Sequence, residues 1–88
     1  MKDTGVFHLL EEQVDFLKKN YSDIPLVQRI LSQENNLEFT VSIDDKIEFY
    51  LWLIDESINT MDEDYDATEE TYILEGIADL IYYETERM

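Results

Sequence analysis

From Ile43 to Met61, apolar side chains return at every third or fourth position: Ile43, Ile47, Tyr50, Leu51, Ile54, Ile58 and Met61. That is the helical period, and holding it for about five turns predicts one long helix with a continuous apolar stripe. Ser42 followed by Asp45 has the spacing of an N-terminal capping box and places the start at residue 43. The segment just before it alternates instead, with Leu37, Phe39, Val41 and Ile43 on one side, which is the period of a strand. Two arrangements are therefore open for residues 37–54. In one, this segment pairs with IEFYLWLI (47–54) across the turn DDK as a β-hairpin. In the other, an extended segment near 37–41 leads into a helix over 43–61. The second preserves the longer pattern and is the one expected.

The flanking pieces also read as helices. Thr4 or Asp3 caps a first helix of about residues 5–20, with Val6, Phe7, Leu10, Val14, Leu17 and Tyr21 on one side and Lys18 and Lys19 in the last turn. Ser22 or Asp23 opens a shorter helix with Pro25 in its first turn; Leu26, Val27, Ile30 and Leu31 turn inward, and Asn35 and Asn36 stop it. Asp66 with Glu69 caps a last helix of about 67–86, whose inner stripe is Ile73, Leu74, Ile77, Leu80 and Ile81. Gly76 in its middle reads as a close helix crossing. The expected fold is mainly α, a single domain over 1–88: a small four-helix bundle or two packed helical hairpins, with a short extended segment near 37–41 that could be a strand.

Charge narrows the function. Twenty-two acids against six bases give a formal net charge of −16. Residues 44–88 carry fifteen of the acids and two of the bases, and no base lies between Ile47 and Glu86. Direct binding to nucleic acid or to an anionic membrane is not expected, because both need Lys and Arg to neutralise phosphate. The longest apolar run, FYLWLI, is far short of the roughly 20 residues a membrane helix needs, and the N-terminus lacks a signal-peptide pattern. With no cysteine there is neither a disulfide nor a thiolate metal site, so a reducing cytoplasm is the expected location. One histidine and two glycines leave no Ser/His/Asp triad, zinc set or phosphate-cradling loop. His8, one helical turn from Glu12, reads as half of a solvated ion pair. Neither an enzyme nor a cofactor is expected.

The stretch MDEDYDATEETY (61–72) tests the remaining chemistry. Asp62, Asp64 and Asp66 match the first three ligand positions of an EF-hand calcium loop, but the sixth position is Ala67 instead of glycine and the twelfth is Ile73 instead of glutamate. No metal site is expected there. The acids suit a helix cap and a solvated turn.

Two helix faces remain as candidate binding surfaces. On the helix over 43–61, Asp44, Asp45, Glu48, Asp55, Glu56 and Asn59 share the side opposite the aliphatic stripe, and Trp52 points into their midst. Trp52 is either a core residue or an aromatic anchor ringed by acids. On the last helix, Tyr72, Glu75, Asp79, Tyr82, Tyr83 and Glu86 fall within an arc of about 100°, tyrosine interleaved with acid and without a base. The expected partner-binding set is therefore Trp52, Glu48, Asp55 and Glu56 together with those six. Within it, DLIYY (Asp79–Tyr83) resembles the Asp-Leu-Ile-Tyr-Tyr-Pro segment of the small acidic immunity proteins that inhibit nuclease colicins, four-helix proteins in which that Asp and the two Tyr contact the toxin. The resemblance covers five of 88 residues, and Glu84 stands where that segment has proline.

The expected function is a small acidic binding protein that docks on a basic surface of a nuclease toxin, a restriction or CRISPR effector or another nucleic-acid-binding enzyme. It would inhibit or regulate that partner as a DNA mimic or an immunity-type inhibitor. The alternative is a structural or adaptor helical protein, possible as a homodimer, whose tyrosines and tryptophan are buried and whose acids give solubility.

Overall fold

Residues Thr4–His8 form a strand. A computed structural model describes residues 4–86, with side chains through Tyr83. In chain order its elements are β1 (Thr4–His8), α1 (Glu11–Tyr21), α2 (Pro25–Leu31), β2 (Glu34–Asn35), β3 (Glu38–Ser42), α3 (Ile43–Asn59) and α4 (Glu69–Glu86). The three strands form one antiparallel sheet in the order β1-β3-β2. This corrects the expectation of a mainly α four-helix bundle or two packed hairpins with at most one short strand: helices dominate, but the fold is mixed α and β with a three-stranded sheet.

The physical reason lies in residues 4–9. A helix there would put Phe7 and Leu10 on one side, yet Leu10 is exposed while Gly5, Phe7 and Leu9 are buried, a period of two. Glycine and β-branched valine are also poor helix formers. What decides the matter is β3. Phe39 needs a partner, and the register sets Phe7 directly opposite, the rings stacked at 5.1 Å with an interplanar angle of 7°. Thr4 thus begins a strand and caps nothing. His8 faces out of the sheet and pairs across it with Glu38 (Nε2 to Oε2, 3.0 Å), not along a helix with Glu12.

Helix α1 starts only at Glu11, where the Leu10 N–H donates to Oε1 of the buried Gln13 at 2.8 Å. Pro25 stands at the first position of α2, where its missing N–H costs nothing. Asn35 and Asn36 do not stop that helix, which ends at Leu31. Asn35 belongs to β2, and Asn36 and Leu37 (φ 57° and 69°) form the two-residue turn of the β2–β3 hairpin. Two positive φ values in a row are the mark of a type I′ turn. Leucine is strained in that region. Leu37 is held there because its side chain packs against the core and its carbonyl accepts the Leu9 N–H at 3.1 Å.

β3 runs into α3 without a loop, and the Ser42 hydroxyl accepts the Asp45 N–H at 3.0 Å, as the capping signal predicted. The start of α4 differs from expectation. Thr68 and Thr71 cap it reciprocally: each hydroxyl oxygen accepts the other's backbone N–H, at 3.3 and 3.0 Å. Asp66 lies upstream in a turn closed by Oδ1 of Asp62, which accepts the N–H groups of Asp64 and Asp66. Thr71 is fully buried and its hydroxyl also meets that of Thr60 at 2.8 Å, which ties the end of α3 to the start of α4. Gly76 does not mark the close helix crossing expected of it: a Cβ there would stand 3.4 Å from Gln13 Nε2, an ordinary contact with the end of a flexible side chain.

All four helices cover one face of the sheet. Phe7, Leu9, Phe39 and Val41 meet Val14 and Leu17, Val27 and Ile30, Phe49 and Leu53, and Leu74, Ile77 and Ile81 in a single core. Lys46, in the first turn of α3, is buried beside β1 and its Nζ donates to the Val6 carbonyl at 3.4 Å. Gly5 makes room for it, since a Cβ there would stand 2.7 Å from Lys46 Cδ. Among the described residues, no helix is long and apolar enough to cross a membrane.

The strand assignment separates two neighbouring residues. Phe7→Ala should cost about 3–5 kcal/mol, a large part of the roughly 5–15 kcal/mol available to a small domain. Val6→Thr, half-exposed beside it, should cost less than about 1 kcal/mol. Urea denaturation followed by circular dichroism compares them; equal costs would argue against this register.

Candidate functional site

Helix α3 is rotated from the orientation its aliphatic stripe suggests. It buries Lys46, Phe49, Leu53 and Ser57. Trp52 is half-buried, edge-on to Tyr21 at 5.0 Å and stacked on Phe49 at 6.0 Å. The buried set lies about 120° round the helix from Ile47, Leu51, Ile54 and Ile58. Those four are consequently turned outward, with 53%, 57%, 37% and 53% of their surface exposed. The run FYLWLI is apolar on every side, so only one of two candidate stripes can face the core. The aromatic one wins because Phe49 and Trp52 offer more area to bury than isoleucine or leucine, and because the Phe7–Phe39 pair leaves a place for a third ring, which Phe49 fills at 6.2 Å from Phe7.

Three of the carboxylates around Trp52, those of Asp45, Glu48 and Glu56, are engaged within the fold. Arg29 of α2 reaches Asp45 at 3.3 Å and Glu48 at 3.2 Å. The Tyr21 hydroxyl donates to Glu56 Oε2 at 3.0 Å, and Asn59 donates to Glu56 Oε1 at 3.4 Å. Partial burial, then the hydrogen bond to Glu56 and the charges of Glu56 and Glu70, push the Tyr21 phenol well above its ordinary value. Trp52, Glu48 and Glu56 thus face α1 and α2. Asp55 is exposed and has no cationic partner among the described residues.

The residues expected on the last helix stay together. Tyr72, Glu75, Asp79, Tyr82 and Tyr83 are all exposed on one side of α4. The side chain of Glu86 lies outside the described residues. Tyr82 stacks on Tyr50 of α3 at 6.2 Å and meets Tyr83 edge-on at 5.9 Å. Because Thr60 meets Thr71 at one end and Tyr50 meets Tyr82 at the other, α3 and α4 are antiparallel neighbours. The outward aliphatic stripe of α3 and the tyrosine and acid face of α4 therefore lie side by side. Near the start of α3 this surface opens into an almost wholly apolar recess of about 240 Å³, lined by Ile43, Lys46, Ile47, Tyr50, Ile81 and Tyr82.

The sequence patterns located half of this surface. They missed the exposure of Ile47, Leu51, Ile54 and Ile58, which read only as the aliphatic stripe of a long helix; the signal is a run, FYLWLI, that is apolar all round. Away from this face, the carboxylates of Asp62, Asp64 and Asp66 converge within 4.8 Å of one another, all exposed. Comparison with protein-family models, curated proteins and solved structures finds no match to the chain.

Three outcomes follow from this geometry. Trp52→Ala should lower stability by about 3 kcal/mol, whereas Tyr72→Ala and Tyr83→Ala should stay within about 0.5 kcal/mol, read by thermal denaturation. Because Tyr21 holds its proton more tightly folded than unfolded, the unfolded chain loses that proton first as pH rises past about 10. Stability should therefore fall with rising pH above that point, and Tyr21→Phe should flatten the fall, measured as urea midpoint against pH. Millimolar calcium should leave the melting temperature unchanged; a rise that Asp64→Asn abolishes would place an ion on the three aspartates.

Proposed function

We propose that this chain is a binding module that docks its α3–α4 face on a basic surface of another protein, and in doing so inhibits or regulates it. One observation carries the reading: an exposed surface of tyrosines and aliphatic residues bordered by Asp55, Glu75 and Asp79, in a stretch of forty residues without a single base. Apolar patches of this kind rimmed by charge are characteristic of protein contacts, and tyrosine is favoured at their energetic centres. The net charge of −16 steers encounter with a cationic partner from a distance.

Partners with the required surface include nuclease toxins, restriction or CRISPR effectors and other enzymes that hold nucleic acid in a basic channel. An acidic face would occupy such a channel in place of the phosphate backbone, as a DNA mimic or an immunity-type inhibitor does. The composition supports binding over catalysis, and the lack of cysteine suits a reducing cytoplasm.

The test immobilises the protein, passes host-cell lysate over it, and elutes with rising salt beside a control carrying Asp79→Lys and Tyr82→Ala. A basic protein should be retained by the wild type only, and its affinity should fall at least about tenfold between roughly 50 and 150 mM salt. Retention indifferent to salt and to both substitutions would overturn the reading.

A further inference from the structure

Helix α3 presents Ile47, Leu51, Ile54 and Ile58 to solvent at spacings of four, three and four residues, a row about 16 Å long. Nothing in the fold requires it, because the core is closed by the opposite side of the helix. Isolated exposed aliphatic residues need no explanation, but four in register do. Their occupant can be argued from charge.

A second copy of the chain is poorly matched. Asp44 and Asp55 border the row on one side, and Glu75 and Asp79 of the neighbouring helix on the other. A two-fold pairing of the rows would bring carboxylates of both copies together. Residues 47–86 contain no Lys or Arg to separate them. The same borders suit an occupant with an apolar stripe and cations on both flanks.

Resting on the proposed binding function, we infer that the occupant is a cationic amphipathic helix of the partner. Its apolar side lies along Ile47, Leu51, Ile54 and Ile58, and its Lys and Arg reach the carboxylates on either side. A helix fits because a row at one-turn spacing receives the ridges of another helix, and because a helix satisfies its own backbone on an apolar surface. The recess beside Ile47, between Tyr50 and Tyr82, has room for one large apolar anchor from that helix. The Lys46 amine beside the recess is turned to the Val6 carbonyl, so the recess receives the apolar anchor and the cations lie along the carboxylate borders.

The experiment measures two fluorescein-labelled peptides of about 18 residues by anisotropy. Both contain the same leucines and lysines; one sets the leucines on a single helical side and the other scatters them. The amphipathic peptide should bind at least about tenfold tighter than its isomer, and Leu51→Ser or Ile58→Ser, made separately and checked by circular dichroism, should erase that difference. Asp55→Asn with Asp79→Asn should weaken both peptides and reduce the salt dependence. Equal binding of the two peptides would overturn this inference while leaving acidic docking intact. Failure of both at low salt would overturn the docking function as well. A dimer in sedimentation equilibrium that Leu51→Ser dissociates would assign the row to a second copy instead.

Discussion

The stack of Phe7 on Phe39 joins residues far apart in sequence and sets the position of everything around it. Without it β1 has no register, and the N-terminal segment has only its poor helix-forming composition. With it, a chain of rings forms from Phe39 through Phe7, Phe49 and Trp52 to Tyr21 and Phe16, each in contact with the next. That chain crosses from the sheet through α3 to α1. Each ring is large and stiff, so the direction of one restricts the next more tightly than aliphatic packing would. The aromatic chain therefore serves as the rigid frame of a small domain whose core is otherwise modest.

The same frame sets which side of α3 is exposed. Once Phe49 is claimed by Phe7 and Trp52 by Tyr21, the rotation of α3 about its own axis is fixed. The aliphatic stripe then has to point outward, since a helix cannot face the core with both sides. Ser42, capping α3 directly from β3, leaves no linker through which the helix could turn back. Exposure of Ile47, Leu51, Ile54 and Ile58 is thus built into the architecture.

What was legible in the sequence divides along physical lines. Features set by neighbours in the chain were readable: the Ser42 cap, the extent of α3, the extended segment before it, Pro25 at the start of α2, and the shared exposed side of Tyr72, Glu75, Asp79, Tyr82 and Tyr83. Features set by distant partners were not. Val6, Phe7, Leu10 and Val14 can be fitted to a helix as readily as Gly5, Phe7 and Leu9 to a strand, and only Phe39 decides between them. The role of Trp52 likewise depended on Tyr21, and the engagement of Asp45 and Glu48 on Arg29. The α4 cap failed differently: Asp66 with Glu69 and Thr68 with Thr71 offer the same signal two residues apart. Burial of Thr71 against Thr60 selects the second pair.

The surplus of acid and the exposed aliphatic row make sense together. A row of this kind on a neutral protein would be sticky toward its own copies, and a face this acidic without apolar contacts would bind cations weakly and without selectivity. On the proposed function, the carboxylates would repel a second copy of the chain and attract a partner of opposite charge, and the row would reward a partner whose apolar side fits. Among the described residues, Asp55, Glu75 and Asp79 are exposed and make no salt bridge, so they add little to the fold. On the proposed function, the exposed aliphatic row and its acidic borders are explained by what they meet outside the chain.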